Sequence, residues 1–337
     1  MDRQGDKVRW GVLSTAKIGI DKVIPAMSRG ERSRVVAIAS RSLDRAREAA
    51  RKLDIPRAYG SYEELLADPE VEAIYNPLPN HMHLEWSVRA AQAGKHVLCE
   101  KPLTLDVEEA RELLKARDRT GVIITEAFMV RSHPQWLKAR EIVRSGRIGE
   151  LRAAQGFFSY HLTDPANIRN IASMGGGGLL DIGVYPTVTS RFLFQAEPRR
   201  VMGLVERDPK LGIDRLSSAV LEFPAGQAAF TCGTQLVPYQ RMNFFGTKGR
   251  LEVEIPFNAP PDRPCRISVD DGSDLSGKGV ETITLPVCDQ YTAQGDLFSR
   301  FVRGEAAPEF PLEDAVMNMR VIEAILRSGE SGRWELP

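Results

Sequence analysis

The sequence predicts two domains: an α/β Rossmann domain built on a doubly wound parallel sheet, and a C-terminal α+β domain with a large open, mainly antiparallel sheet. Three patterns support this prediction. Short β-rich runs alternate with helical stretches from residue 7 to about residue 125, runs with a two-residue period follow, and a helical stretch ends the chain. The change of rhythm predicts a dinucleotide-binding domain over residues 1–126 and a substrate-binding and oligomerisation domain over residues 127–337.

The strands of the first half are short, apolar and poor in charge, which suits a parallel sheet that is buried on both faces. Helices are predicted where Ala and Leu recur at helical spacing or where a glycine closes the segment. The predicted strands are 7–13, 34–40, 72–78, 96–100 and 122–125, and the predicted helices are 17–29, 43–53, 83–94 and 107–121. In such a domain, ligands bind above the carboxyl ends of the strands.

In the second half, apolar and polar residues alternate between turn signals such as FPAGQ and GTKGR, which is typical of an antiparallel sheet. The predicted strands lie in 151–161, 199–207, 217–223, 227–236, 241–247, 250–257, 266–271 and 280–287, and the final helical stretch is 313–329. An open sheet with an apolar outer face tends to aggregate, so we expect it to be buried in a homodimer or homotetramer.

The composition limits the class of protein. The chain has 337 residues, 42% of them hydrophobic, and equal numbers of basic and acidic side chains, so nucleic acid or an anionic membrane is not expected as a partner. The polar N-terminus MDRQGDKVRW predicts no secretory signal, and the apolar runs are shorter than a membrane helix. Four widely spaced cysteines argue against a zinc site or a disulfide framework. A cytoplasmic protein is expected.

The turn after the first predicted strand is a candidate phosphate-binding loop. A dinucleotide-binding turn has the pattern G-x-G-x-x-G, and this sequence offers Ser14-x-Ala16-x-x-Gly19. Small residues let a helix N-terminus approach a pyrophosphate, although a tight turn without a ligand has the same pattern. The candidate cofactor-binding residues of this turn are Ser14, Thr15, Ala16, Ile18 and Gly19.

The end of the second predicted strand indicates which dinucleotide is bound. NAD enzymes usually carry Asp or Glu here for the ribose 2′-hydroxyl, but this chain has Ser40, Arg41 and Ser42, with Arg45 following. Hydroxyls and a guanidinium bind a 2′-phosphate, whereas a carboxylate would repel it. NADP(H) is therefore favoured over NAD(H), the alternative being a solvated strand end with helix-capping serines.

The stretch VLCEKPL ends the fourth of these strands with Glu100, Lys101 and Pro102, which places a lysine over the predicted ligand crevice. Pro102 could fix the backbone there through a cis peptide. A lysine in a dry site can donate a proton or orient a substrate hydroxyl. In isolation, the same three residues would be better explained by a salt-bridged strand end.

The surrounding sequence resembles the signature of the glucose–fructose oxidoreductase, inositol dehydrogenase and MocA family (Gfo/Idh/MocA). The family pattern P-N-x-x-H, then A-G-K-H-V and E-K-P, is present as Pro79, Asn80 and His83, then 93–97, then 100–102. The resemblance continues through RSHPQWLKAREIVRSGRIGEL, GGGLLDIGVYP and FFGTKGRLEVE. The departure is Ser14 and Ala16 in place of two glycines.

This resemblance implies an NAD(P)-dependent oxidoreductase acting on a CH–OH group of a sugar or polyol. It implies that Lys101 is the active-site lysine, and that Asp181 and Tyr185 match the D-x-G-x-H/Y motif facing the nicotinamide. Tyr185 would be the general acid/base, Lys101 the cation that a phenol needs near neutrality, and Asp181 would orient a substrate hydroxyl. Pro79, Asn80, His83, Glu100 and Lys101 would lie near the cofactor.

The tyrosine is similar to the branch that holds glucose–fructose oxidoreductase, anhydrofructose reductases, xylose dehydrogenases and dimeric dihydrodiol dehydrogenase. Two alternatives remain open: a dihydrodiol-type dehydrogenase acting on a less polar diol, and a cofactor-sensing protein without catalysis. His81 and His83 form H-x-H without an acidic partner nearby, so no metal is predicted. The glycine run 175–178 is expected to let the backbone approach or admit a ligand.

Overall fold

The structure, a computed structural model, describes residues 7–337. The prediction about a secretory signal mainly concerns the residues before this range and lies outside the described part. The chain divides into two compact units, one of residues up to Met129 with Asp289–Val316, the other of Val130–Cys288 with Met317–Pro337. The segment 289–316 thus packs with the first unit, whereas the predicted domain of residues 127–337 includes it.

Within the described residues, six strands form the parallel sheet of the first unit. The strands are β1 (Val8–Leu13), β2 (Ser33–Ala39), β3 (Arg57–Tyr59), β4 (Ala73–Asn76), β5 (His96–Cys99) and β6 (Ile124–Glu126). The helices are α1 (Ile24–Arg29), α2 (Leu43–Leu53), α3 (Tyr62–Leu66), α4 (His83–Gln92) and α5 (Val107–Thr120). The strand order β3-β2-β1-β4-β5-β6 is the Rossmann order, so the predicted fold is confirmed.

Local sequence explains where the helices of this unit begin and end. The Ser42 side chain caps α2 by accepting from the Arg45 amide, and the helix ends at Asp54 in a left-handed conformation (φ 53°). The Asp106 carboxylate caps α5 by accepting from the Glu109 amide at 2.8 Å. Apolar clusters on both faces of the sheet complete the core and contain Leu13, Ile74 and Val97 in one cluster and Trp10, Ile38 and Tyr75 in the other.

The helix α8 (Gln290–Val302) belongs to the first unit through polar contacts with its strands and turns. The Asp296 carboxylate accepts from the amides of Glu31 and Arg32, both at 2.9 Å. The Trp10 indole donates to the Ser299 hydroxyl at 3.3 Å, and both groups are buried. The Trp10 bond satisfies a buried donor of the Rossmann sheet, and the two Asp296 bonds hold the turn before β2.

The second unit is built on an open sheet of eight strands in the described part of the chain. Its strands are β7 (Leu151–His161), β8 (Arg200–Arg207), β9 (Asp214–Phe223), β10 (Gly226–Gly233), β11 (Gln235–Gly246), β12 (Arg250–Val253), β13 (Arg266–Asp270) and β14 (Val280–Thr284). The order is β14-β13-β12-β11-β7-β10-β9-β8, and every pair is antiparallel except β7 with β10. The helices α6 (Pro134–Arg144) and α7 (Val184–Phe194) belong to this unit. The predicted mainly antiparallel sheet is confirmed.

The helix α9 (Leu312–Ser331) contributes residues to both units. The four cysteines are free thiols, and Cys99, Cys232 and Cys265 are buried. Over residues 7–337, no helix combines the length and the apolar character needed to cross a membrane.

Candidate active site

The turn after β1 fits a dinucleotide phosphate. Ser14 has φ 80°, a left-handed conformation that glycine adopts more readily, and its hydroxyl accepts from the Ala16 amide at 3.2 Å. A π-helical turn, Gly19–Val23, then leads into α1. A Cβ on Gly19 would meet only ordinary contacts, the nearest at 3.7 Å from the Tyr75 ring. Packing within the unit therefore does not require this glycine, and a residue without a side chain would let a pyrophosphate approach.

The turn after β2 presents hydroxyls and guanidinium groups. The Ser40 hydroxyl accepts from the Ser42 amide at 3.3 Å, while Ser42 caps α2 as described above. A hydroxyl that accepts in this way still has a proton to donate to an anion. Arg41 and Arg45 are exposed at the same turn, and the charge of Arg41 partly offsets the burial that raises the pKa of Tyr62.

His83 ties together the two loops that follow β4 and β5. Its ring nitrogens lie 2.8 Å from the Pro102 carbonyl and 2.7 Å from the Leu78 carbonyl, and the side chain is fully buried. Burial lowers the pKa of His83 to about 4, so the neutral ring donates to one of these carbonyls at a time. Asn76 supports the same arrangement, because its side chain donates to the Ser87 hydroxyl at 3.1 Å and accepts from the Leu78 amide at 3.3 Å. Pro79 and Asn80 lie between these anchors.

The loop after β5 holds Lys101 through its neighbours. The Tyr75 hydroxyl donates to Glu100 at 2.6 Å, and burial first, then the charge of Glu100, raises the pKa of this phenol. On the other side, the Leu103 amide donates to the Glu126 carboxylate at 2.8 Å. The Lys101–Pro102 peptide bond is cis, and Lys101 is half-buried. The Glu100 amide donates to the Asn76 carbonyl at 3.0 Å, so hydrogen bonds hold the backbone on both sides of the lysine.

In the second unit, Asp181 is held by two donors. It lies in a π-helical turn, Leu179–Gly183, that precedes α7. The Tyr160 hydroxyl donates to its Oδ2 at 2.6 Å, and the Arg169 Nε donates to the same oxygen at 3.0 Å. π-Helical turns are often found at functional sites. Neither Tyr160 nor Arg169 is among the residues predicted from sequence.

Tyr185 is buried near the start of α7 against aromatic rings. Its ring centroid lies 5.7 Å from that of Phe158 and 5.2 Å from that of Phe257. Aromatic pairs at these separations stabilise a fixed orientation, so the phenol has little freedom.

The glycine run 175–178 packs against its own unit. Gly177 has φ 126°, and a Cβ there would overlap the Asp214 carboxylate; a Cβ on Gly176 would meet the Arg169 carbonyl oxygen at 2.6 Å. Asp214 in turn accepts from the Leu179 amide at 2.6 Å, at the start of the turn that carries Asp181. The predicted use of the run for ligand approach therefore has a competing explanation at these two positions, because the loop itself requires glycine there.

The buried carboxyl group of Asp214 is expected to make the free energy of unfolding depend on pH. Burial raises its pKa to about 6, against hydrogen bonds from Leu179 and Ser217 that lower it. Because the folded state binds this proton more tightly than the unfolded chain, the stabilisation is complete below about pH 4 and is lost as the pH rises past 6. The full effect is roughly 3 kcal/mol. We expect the unfolding midpoint of Asp214→Asn, measured by differential scanning fluorimetry, to rise relative to wild type between pH 4.5 and pH 7.5.

Asp208 provides a control of opposite sign. Hydrogen bonds from Gln235 and from two backbone amides lower its pKa. Asp208→Asn should therefore be less stable than wild type near neutrality, and the difference should shrink as the pH falls below about 4. A midpoint difference for Asp214→Asn that does not change with pH would contradict the role assigned to this carboxyl group.

The predicted cofactor residues of the first unit lie at the carboxyl ends of four strands that are neighbours in the sheet, β2, β1, β4 and β5. This is the edge at which doubly wound sheets bind nucleotides. Asp181 and Tyr185 lie in the second unit, on consecutive helical segments. The strand order, the small-residue turn and the fixed lysine define a dinucleotide-dependent oxidoreductase as the class of protein.

Comparison with known proteins identifies the family. Residues 8–128 match the oxidoreductase family with an NAD-binding Rossmann fold (GFO_IDH_MocA), and residues 136–252 match the GFO/IDH/MocA C-terminal domain. The chain therefore belongs to the Gfo/Idh/MocA family of NAD(P)-dependent oxidoreductases, as the motifs predicted.

Three similar proteins place the chain within this family. It is 52% identical to an uncharacterized oxidoreductase of Rhizobium meliloti, over 98% of this chain and 99% of that protein. It is 38% identical to a D-xylose 1-dehydrogenase (NADP(+)) of Haloferax volcanii, over 96% and 98%. The crystal structure of a 3-ketoreductase from Actinomadura kijaniata, in complex with NADP and TDP-benzene, superimposes with a TM-score of 0.88 at 30% identity, over 96% and 98%.

Proposed function

We propose that the protein is an NADP(H)-dependent dehydrogenase or reductase of a sugar or polyol. The observation that carries this proposal is the 38% identity with the NADP(+)-type D-xylose 1-dehydrogenase over nearly the whole of both chains. The 3-ketoreductase supports it, since that structure also contains NADP and its overall fold is similar. Bound nicotinamide would supply or accept the hydride at a carbon that bears a hydroxyl or carbonyl oxygen.

The proposed cofactor contacts come from the loops of the first unit. The turn after β1 would take the pyrophosphate, and the turn after β2 would take the adenosine 2′-phosphate. Charge-assisted bonds from Arg41 and Arg45, together with the two serine hydroxyls, favour a phosphate over a free ribose hydroxyl. Pro79, Asn80, Glu100 and Lys101 would border the nicotinamide end, and buried His83 would act indirectly through the loop carbonyls that it contacts.

The proposed chemistry uses three side chains. Tyr185 would exchange a proton with the reacting substrate oxygen, and Lys101 would supply the positive charge that lets a phenol do so near neutrality. Asp181 would accept a hydrogen bond from a second hydroxyl of the substrate. General acid–base groups of this kind contribute ~10²–10⁴-fold to rate.

The proposal is tested by the change in nicotinamide absorbance across aldoses, anhydroketoses, polyols and aromatic diols, with both cofactors and in both directions. Turnover of a sugar or polyol with NADP(H) is the expected result. Turnover of aromatic diols alone would favour the dihydrodiol-type alternative. Tight NADPH binding without any turnover across the panel would favour the cofactor-sensing alternative.

The Arg41 side chain is expected to determine the preference for NADPH over NADH. Arg41→Ala should weaken NADPH binding by about 10–100-fold, because a charged hydrogen bond contributes about 1.5–3 kcal/mol, while NADH binding changes less than about 3-fold. The dissociation constants are measured by quenching of tryptophan fluorescence. The matched control is Arg47→Ala, because Arg47 is exposed like Arg41 but lies within α2. It should leave the dissociation constants of both cofactors unchanged. Equal losses for the two cofactors in Arg41→Ala would remove Arg41 from phosphate recognition.

We also propose a homodimer or homotetramer in the cytoplasm. Leu204 on β8 and Val237 on β11 are 76% and 77% exposed, and Tyr239 on β11 is 48% exposed. Large exposed apolar side chains on a sheet support an interface between copies of the chain. The zero net charge supports small-molecule substrates rather than nucleic acid.

A further inference from the structure

The loop of residues 162–178, between β7 and the turn that carries Asp181, is folded onto itself; we call it the Arg169 loop. Its 3₁₀ turn, Ile168–Asn170, is capped by Asn167, whose side chain accepts from the Arg169 amide at 3.1 Å. The Asn170 side chain is buried and donates to the Asp164 carbonyl at 2.7 Å. The backbone that carries Arg169 is therefore held at its N-terminal side by side chains of the same loop.

The other end of the loop is attached to the same arginine. The Gly177 amide donates to the Arg169 carbonyl at 3.0 Å, and the Gly177 carbonyl accepts from the Asp181 amide at 3.1 Å. One residue thus links the backbones of Arg169 and Asp181, while their side chains are joined by the 3.0 Å contact. A pair fixed at both backbone and side chain loses little conformational entropy when a substrate binds.

Tyr160 reaches the same carboxylate oxygen from a different element, the strand β7. Its hydroxyl is 2.6 Å from Asp181 Oδ2, the oxygen that also accepts from Arg169. Burial, and then the charge of Asp181, raises the pKa of the Tyr160 phenol, so it stays protonated and donates. The charge of Asp181 is the main cause that raises the pKa of Arg169. Both partners are consequently donors, and a carboxylate between two donors is an acceptor only.

We propose that Arg169 and Tyr160 are positioning residues that keep Asp181 ionised and oriented to accept a hydrogen bond from a substrate hydroxyl on the carbon next to the reacting carbon. This inference rests on the proposed function and narrows its substrate class. Asp181 and Tyr185 are four residues apart on consecutive helical segments, a spacing that puts two side chains on one face about 5–6 Å apart. A substrate whose reacting oxygen meets Tyr185 therefore has to carry a hydroxyl donor for Asp181 beside the carbon that is oxidised or reduced. A carbonyl or ether oxygen at that place would face the carboxylate without a proton and would be rejected.

Three variants separate this role from a purely structural one. Arg169→Met removes the charge and keeps the length of the side chain, Arg169→Lys restores the charge, and Tyr160→Phe removes one hydroxyl. Arg200→Met is the control, because Arg200 forms an Arg–Glu pair on β8, 2.6 Å from Glu222 and exposed. Each variant is assayed on an aldose and on the analogue in which hydrogen replaces the hydroxyl beside the reacting carbon.

We expect Arg169→Met to lower kcat/KM on the aldose by about 10–100-fold, mainly through KM, and to shift the acid limb of its pH profile up by about one unit. Arg169→Lys should recover part of both effects, and Tyr160→Phe should show them to a smaller degree. On the deoxy analogue, wild type should already have lost the contribution of this hydrogen bond to kcat/KM, so Arg169→Met should lower kcat/KM by less than about 3-fold further. NADPH affinity and the Arg200→Met variant should be unchanged.

An equal loss on both substrates with an unmoved acid limb would overturn the inference and leave the proposed function intact. Absence of any sugar or polyol turnover in wild type would overturn the proposed function, and this inference with it. A readout without turnover tests the contact itself: the Arg169 Nε–H signal, assigned by its loss in Arg169→Met, should be protected from solvent exchange. Asp181→Asn should remove that protection, and an unprotected signal in wild type would count against the inference.

Discussion

Tyr185→Phe is expected to lower kcat of sugar turnover by ~10²–10⁴-fold while NADPH binding is retained. The substitution removes one oxygen and keeps the ring. The ring packs against Phe158 and Phe257, with centroids 5.7 and 5.2 Å away, so phenylalanine preserves these contacts. The loss would therefore report on the hydroxyl as proton donor and acceptor, not on packing.

The measurement is single-turnover nicotinamide absorbance with saturating substrate, which separates chemistry from product release. Tyr59→Phe is a control for loss of a tyrosine hydroxyl, because Tyr59 on β3 donates to Asp68 at 2.9 Å in the first unit. It should leave kcat unchanged. A Tyr185→Phe enzyme within about 3-fold of wild type would exclude the phenol from proton transfer.

Elements with strong local signals could be predicted from the sequence. The helix predicted over residues 43–53 has the observed bounds Leu43–Leu53, because Ser42 provides a cap and the Ala spacing is helical. The strand β3 and the helix α3 were not predicted, since three and five residues are too short for a periodic signal.

The helix α8 shows a different limit of prediction from the sequence, namely a partner that lies far away in the chain. Its attachment to the first unit depends on Asp296 reaching the amides of Glu31 and Arg32, 264–265 residues earlier in the chain. Nothing in the local pattern of residues 290–302 records that partner. Chain order alone therefore placed this segment in the predicted second domain, whereas its hydrogen bonds place it with the Rossmann sheet.

In the candidate site, too, the features with a local sequence signal could be predicted, and the contacts between distant residues could not. The motif that contains Lys101 is contiguous, so the sequence could predict that its backbone is fixed, and Tyr75 and Glu126 do anchor its neighbours. The partners of Asp181 are 12 and 21 residues away, on a loop and on a strand. Tyr160 lies at the end of a strand whose alternation indicates only that it faces away from its neighbours, so no sequence signal joined it to Asp181.

Lys101→Met is expected to lower the single-turnover rate by ~10²–10⁴-fold, and the double variant with Tyr185→Phe is expected to be no slower than the slower of the two single variants. Methionine keeps the length and the apolar stem of lysine and removes the charge. The anchors of the loop, Tyr75 to Glu100 and the Leu103 amide to Glu126, do not involve the amine, so the backbone should be retained. If Lys101 and Tyr185 serve one proton transfer, removing either disables the same step, and their free-energy losses do not add.

The same single-turnover assay measures all four enzymes at several pH values, and NADPH titration checks that each variant still binds cofactor. Lys115→Met is the control, since Lys115 pairs with Glu112 on the exposed face of α5. Additive losses would mean that Lys101 and Tyr185 act in independent steps, with the lysine binding substrate and the phenol needing another source of positive charge. Non-additive losses with intact NADPH binding would assign both residues to one proton-transfer step. A structural defect in either part of the chain would lower the affinity for the cofactor or the unfolding midpoint as well.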